Sequence, residues 1–62
     1  MKLSMDQVRE IEYYGQANIE GHEYRYKDYE AKSEIWEGDN LIMRIDNSKA
    51  LDDPARLEEV AR

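Results

Sequence analysis

Hydrophobic positions along the chain change period twice, and each change predicts a change of element. Val8, Ile11 and Tyr14 recur at i, i+3 and i+6, along one side of a short helix. Ser4 and Gln7 stand three apart, the spacing of a capping box in which each side chain satisfies a free backbone N–H of the first turn. Leu3 before the cap and Val8 after it complete a hydrophobic staple. Gly15 suits the left-handed residue that ends a helix. The spacing therefore predicts a helix over residues 5–14.

From Ala17 the period is two. Ala17 and Ile19 alternate with polar residues, and Gly21-His22 offers a two-residue hairpin turn between Glu20 and Glu23. Tyr24 and Tyr26 continue the alternation on even numbers, whereas Tyr29, Ala31, Ser33 and Ile35 are odd-numbered. One extra residue near Lys27-Asp28, a β-bulge, returns all of them to one face of a single long strand. A tight turn there is the alternative, although Lys-Asp is poor turn chemistry compared with Asn-Gly.

Gly38-Asp39-Asn40 is the strongest turn signal in the chain, and its length sets the register. A two-residue loop pairs Glu37 with Asn40, placing Trp36 opposite Leu41 but Glu34 opposite Met43. A three-residue loop pairs Glu37 with Leu41, Ile35 with Met43 and Ser33 with Ile45. Only the longer loop gathers Leu41, Met43 and Ile45 with Ile35, Ala31 and Tyr29, so it is the expected register. The other face then carries Glu30, Lys32, Glu34 and Trp36, with Ile42 and Arg44 beside them.

Asn47-Ser48-Lys49 reads as a loop and Asp53-Pro54 as a helix start, with Asp capping and Pro in the first helical position. Leu57, Val60 and Ala61 form the apolar edge of that helix. The expected architecture is one α+β domain over residues 1–62: an N-terminal helix, a three-stranded antiparallel β-meander and a short C-terminal helix. The helices cover one face of the sheet and leave the other open.

Composition bears on whether such a fold holds. A net charge of −6 with 39% charged residues leans toward disorder, but 40% hydrophobic residues, five Tyr and one Trp favour a compact chain. At this length about 60% of the unfolded surface is buried, so the stability margin is thin. With no Cys there is neither a disulfide nor a thiolate metal site, which favours a cytoplasmic setting over secretion. No signal peptide is expected ahead of the polar first helix. No stretch approaches the ~20 apolar residues of a membrane span, and no membrane partner is expected.

The acidity is local. Residues 6–39 hold ten acids against four bases (Arg9, Arg25, Lys27 and Lys32), which equals the whole net charge of −6. Such a surplus repels nucleic acid and steers the chain toward basic partners.

Candidate chemistry is sparse. His22 is the single imidazole and cannot anchor a transition metal without a second His or a Cys. Neither a calcium-hand loop nor a Gly-rich phosphate loop is present. Ser33, His22 and Asp28 assemble a triad only on paper. No catalytic residue, cofactor or metal is expected, and the chain reads as a non-enzyme.

Binding residues are easier to find. A Trp on an open sheet face beside an aliphatic residue and ringed by charges is a hot-spot pattern. Trp36 and Ile42 would anchor such a contact, with Glu30, Glu34, Glu37 and Asp39 meeting basic side chains. Packing of Trp36 under a helix or loop is the plain alternative. A second possibility uses Trp36, Ile42 and the sheet edges for a homodimer or subunit contact, so the chain is expected as a monomer or homodimer. A third stacks single-stranded nucleic acid on Tyr24, Arg25, Tyr26 and Lys27, which the neighbouring acids oppose.

Small, acidic and built as helix, meander and helix, the chain is similar to small inhibitors carried by phages and mobile elements, anti-CRISPR and anti-restriction proteins among them. That similarity is one of size and charge and carries over no residues. It implies an acidic protein-binding module, a possible DNA mimic, that occludes a nucleic-acid-binding enzyme or complex.

Overall fold

The computed structural model describes residues 3–60. Its elements are a helix α1 (Met5–Tyr14) and five strands: β1 (Gln16–Ile19), β2 (His22–Tyr29), β3 (Lys32–Glu37), β4 (Asn40–Asp46) and β5 (Leu57–Glu59). All neighbours are antiparallel, in the order β1-β2-β3-β4-β5. The α+β class stands, but the sheet has five strands where three were expected, and the described residues hold no C-terminal α-helix.

The helix forms as its sequence predicts. Gln7 N donates to Ser4 Oγ at 3.2 Å, Ser4 N donates to Gln7 Oε1 at 2.9 Å, and Gly15 closes the helix at φ 79°. Leu3, Val8 and Ile11 are buried in the core. Tyr14 is not: it is 69% exposed, with its ring edge-on to Tyr13 at 4.8 Å. Six residues beyond Val8 is about 120° around the helix from it, so Tyr14 falls off the buried stripe.

Turn geometry explains the extra strands. Glu20 and Gly21 both have positive φ (52° and 83°), and Ile19 pairs with His22. The turn is therefore Glu20-Gly21, one residue earlier than expected, with the positive φ at both central positions that a type I′ turn needs. At the other end of β2 there is no bulge at Lys27-Asp28. The strand runs on to Tyr29 and reverses through Glu30-Ala31, with Glu30 at φ 64° and its N–H donating to Asp28 Oδ1 at 2.9 Å. Glu-Ala carries no turn signature; Asp28 supplies one from two residues back. Across a two-residue hairpin, even numbers face odd ones, so Tyr24 and Tyr26 share a face with Ser33 and Ile35. Tyr29 and Ala31, expected in the core, are exposed.

The β3–β4 turn combines both registers considered. Glu37 pairs with Asn40 and Trp36 with Leu41 across the two-residue turn Gly38-Asp39. A bulge then absorbs Ile42, and Ile35 pairs with Met43 and Ser33 with Ile45, as the longer loop requires. Trp36 therefore neighbours Leu41 rather than Ile42, and Ile42 packs against the core instead of joining the open face. The bulge buries Met43 and keeps Ile42 on the same inner side.

After Asp46 the chain crosses to Asp53, whose Oδ1 accepts from Ala55 N at 2.9 Å, and makes a single 3-10 turn at Pro54–Arg56. Leu57–Glu59 then pairs with β4, and Val60 N donates to Ile42 O at 3.0 Å. A two-turn helix is marginal on its own, whereas strand pairing satisfies the open edge of β4 and half-buries Leu57 beside Ile45. Ala61, assigned to the expected helix, lies outside the described residues.

Helix α1 packs over β1 and β2. Leu3, Val8, Ile11, Tyr24, Ile35, Met43 and Ile45 form the core, bordered by Ala17, Ile19, Tyr26, Ile42 and Leu57. Arg56, 2% exposed, donates from Nη1 and Nη2 to both carboxylate oxygens of Glu12 (3.1 and 2.9 Å), tying the last segment to α1. Among the described residues no helix is long and apolar enough to cross a membrane.

Candidate functional site

In this meander the Glu20-Gly21 and Gly38-Asp39 turns share one end of the sheet, and Glu30-Ala31 lies at the other. The end with two turns is acid-rich: Glu20, Glu23, Glu34, Glu37 and Asp39 on β1–β4 and their turns stand against Arg25, Lys27 and Arg44, the last paired opposite Glu34.

Trp36 lies on the outer face near this end, opposite Arg25 on β2 and Leu41 on β4. Its indole is half-buried and held in place. Nε1 donates to Glu34 Oε1 at 3.0 Å, and Lys27 Nζ stands 4.5 Å from the ring centroid. A cation over an indole contributes about 0.5–1 kcal/mol at an exposed site. The ring is thus held in one orientation with part of its surface open to solvent.

On the inner face the same strands enclose a cavity of about 270 Å³ lined by Leu3, Ile19, Glu20, His22, Tyr24, Glu37 and Ile42. His22 Nδ1 lies 2.5 Å from Glu37 Oε2, bridging the two hairpins. The His22 and Tyr24 rings are 6.3 Å apart, tilted by 35°.

The structure sorts the expected binding residues into groups. Trp36 and Glu34 are bonded on the outer face, Glu37 and Ile42 line the cavity on the inner face, and Asp39 stands exposed in the turn between them. Glu30 belongs to the far end, in the β2–β3 turn. Leu3, Ile19, Glu20 and His22 join the cavity without having been singled out for binding, and Tyr24, expected only in a nucleic-acid platform, joins them. Their signal was the turn parity: pairing Ile19 with His22 puts the imidazole on the face of Tyr24.

The nucleic-acid platform is divided. Arg25 and Lys27 point outward and are exposed, whereas Tyr24 is buried and Tyr26 is half-buried on the inner face, its hydroxyl 2.7 Å from Ser33 Oγ. His22 and Asp28 sit six residues apart on β2, about 20 Å of strand, so Ser33, His22 and Asp28 do not converge. Ser33, fully buried, instead donates to Asp28 Oδ1 at 3.4 Å and accepts from Asn47 Nδ2 at 2.8 Å. Among the described residues no group of three or more His, Cys, Asp or Glu is placed to hold a metal ion.

At the far end, Asp46 accepts from the Ser48 hydroxyl at 2.6 Å and the Ser48 N–H at 3.0 Å. These bonds, the hydroxyl first, hold its carboxyl below the ordinary value of 3.8. They shape the β4–β5 crossing.

No family model matches the chain, and neither a curated protein nor a solved structure does.

Proposed function

We propose that the chain is a non-enzymatic protein-binding module that uses the two-turn end of its sheet to engage a partner with a basic surface. The observation that carries this reading is Trp36. It is half-buried on the outer face of the sheet and fixed by Glu34 and Lys27, at an end where five carboxylates outnumber three cations. A pre-oriented aromatic loses little freedom on binding and is the kind of anchor on which interface energy concentrates. The surrounding carboxylates favour encounter with cationic surfaces and make association slower as salt is added. The partner we favour is a nucleic-acid-binding enzyme or complex, inhibited by occlusion of its cationic surface.

The test compares partner capture from native cells by the wild-type chain, Trp36→Ala and Tyr29→Ala at low and high salt. The expected result is a partner lost with Trp36→Ala, weakened by salt and kept by Tyr29→Ala. A partner indifferent to both the Trp36 change and ionic strength overturns the reading.

One feature favours a second reading, self-association. The edge strand β1, Gln16-Ala17-Asn18-Ile19, contains neither a charge nor a proline, the devices that guard an edge. Light scattering over a dilution series decides it: a strict monomer at high concentration rules out assembly.

A further inference from the structure

The inner-face cavity has a lining that suits one kind of guest. Leu3, Ile19, Tyr24 and Ile42 supply apolar wall, and Glu20 and Glu37 supply two carboxylates. Among the described residues no lysine or arginine lines it. We infer that it receives an arginine side chain of the partner protein, with the aliphatic stem along the apolar wall and the guanidinium at Glu20 and Glu37. The inference rests on the reading of this end as a surface for a basic protein and names the group that is recognised.

Elimination supports it. An anionic guest is repelled by the two carboxylates, and a purely apolar guest strips them of water without replacing its hydrogen bonds. A long cationic side chain avoids both costs, because it buries its stem and keeps its head near water. Glu20 stands on an exposed turn and the Glu37 side chain is 32% exposed, so the head is met at the rim rather than at depth. At about 270 Å³ the cavity falls just below the range of ordinary small-molecule pockets and fits a side chain better than a cofactor. Glu37 is also held beforehand, because His22 Nδ1 fixes one of its two oxygens. Arginine is favoured over lysine because its planar guanidinium engages a carboxylate through two parallel hydrogen bonds.

The experiment titrates the full chain, methyl-labelled at isoleucine, with blocked Gly-Arg-Gly, and compares the same peptide with citrulline, the lysine peptide and free spermidine. The arginine peptide is expected to shift Ile19 and Ile42 saturably, the lysine peptide more weakly and the citrulline peptide least. Affinity should fall roughly fivefold in Glu20→Gln/Glu37→Gln, the upper end for losing exposed pairs, and stay unchanged in Tyr29→Ala, at an exposed site outside the cavity. Glu20→Gln alone, at a solvent-open turn position, repeats the test with the His22–Glu37 contact intact. Equal binding of the citrulline peptide, or full affinity in both variants, overturns the inference. Tighter binding of spermidine than of the arginine peptide overturns it in favour of a free polyamine. None of these readouts uses Trp36, so the cavity and the Trp36 surface can fail separately.

Discussion

Replacing Glu12 by Ala leaves the buried Arg56 guanidinium without its counter-charge, and the consequence can be sized. Arg56 is 2% exposed, and its Nη1 and Nη2 donate to Glu12 at 3.1 and 2.9 Å. Its buried Nε has no partner among the described residues, so Glu12 is the acceptor that compensates the charge. Removing one member of a buried pair costs about 3–5 kcal/mol. The Glu12 side chain is 18% exposed, so water recovers part of that, and we take roughly 3 kcal/mol. A chain of this length has in total about 3–9 kcal/mol, at roughly 0.05–0.15 kcal/mol per residue. Glu12→Ala should therefore remove at least a third of the stability, seen as a lower midpoint in urea denaturation. The double variant Glu12→Leu/Arg56→Met removes the desolvation cost along with the attraction and should return close to wild type. Added salt should not mimic Glu12→Ala, because buried pairs are weakly screened. A loss below about 0.5 kcal/mol, the range of ordinary surface changes, refutes the reasoning, as does a double variant no better than Glu12→Ala.

Other outcomes follow from the turns and the register. Glu20 carries positive φ without being glycine, so Glu20→Asn, which makes an Asn-Gly primed turn, should raise stability by about 1 kcal/mol in thermal unfolding. Ile35→Ala should cost about 2–5 kcal/mol, while Tyr29→Ala, at an exposed site, should stay within about 0.5 kcal/mol; a single long strand with a bulge would make both costly. Asp46, whose carboxyl is held low by Ser48, adds stability that is fully present above its unfolded value and lost as pH falls through the still lower folded one. Ser48→Ala should therefore be less stable than wild type at neutral pH, and the gap should close in acid below about pH 4; a gap that persists there removes Asp46 as its cause.

Helix α1 was legible to the residue because its capping box, staple and left-handed glycine are local signals that agree with one another. The core positions of β3 and β4 were legible too, since burying Ile35, Met43 and Ile45 together demands one register. The β2–β3 hairpin was not, because its turn residues Glu30-Ala31 carry no signature and the reversal depends on the Asp28 side chain two residues back. The C-terminal segment misled for another reason: Asp53-Pro54 does start a helical turn, but continuation is decided by the open edge of β4, which local sequence does not display. At the two-turn end, the alternation of β3 puts Trp36 on the outer face, whereas the bulge at Ile42, which no local pattern announces, turns that residue to the opposite side.

Every strand pairs with its neighbour in sequence and three of the four connections are two-residue turns, while the Arg56–Glu12 contact spans 44 residues. Local pairing favours rapid folding, and the contact across the longest loop is the natural last step. The ion pair then governs the lifetime of the folded state rather than the speed of reaching it. In stopped-flow traces Glu12→Ala should accelerate unfolding and leave the refolding rate nearly untouched. A slowed refolding limb would place the contact in the nucleus instead.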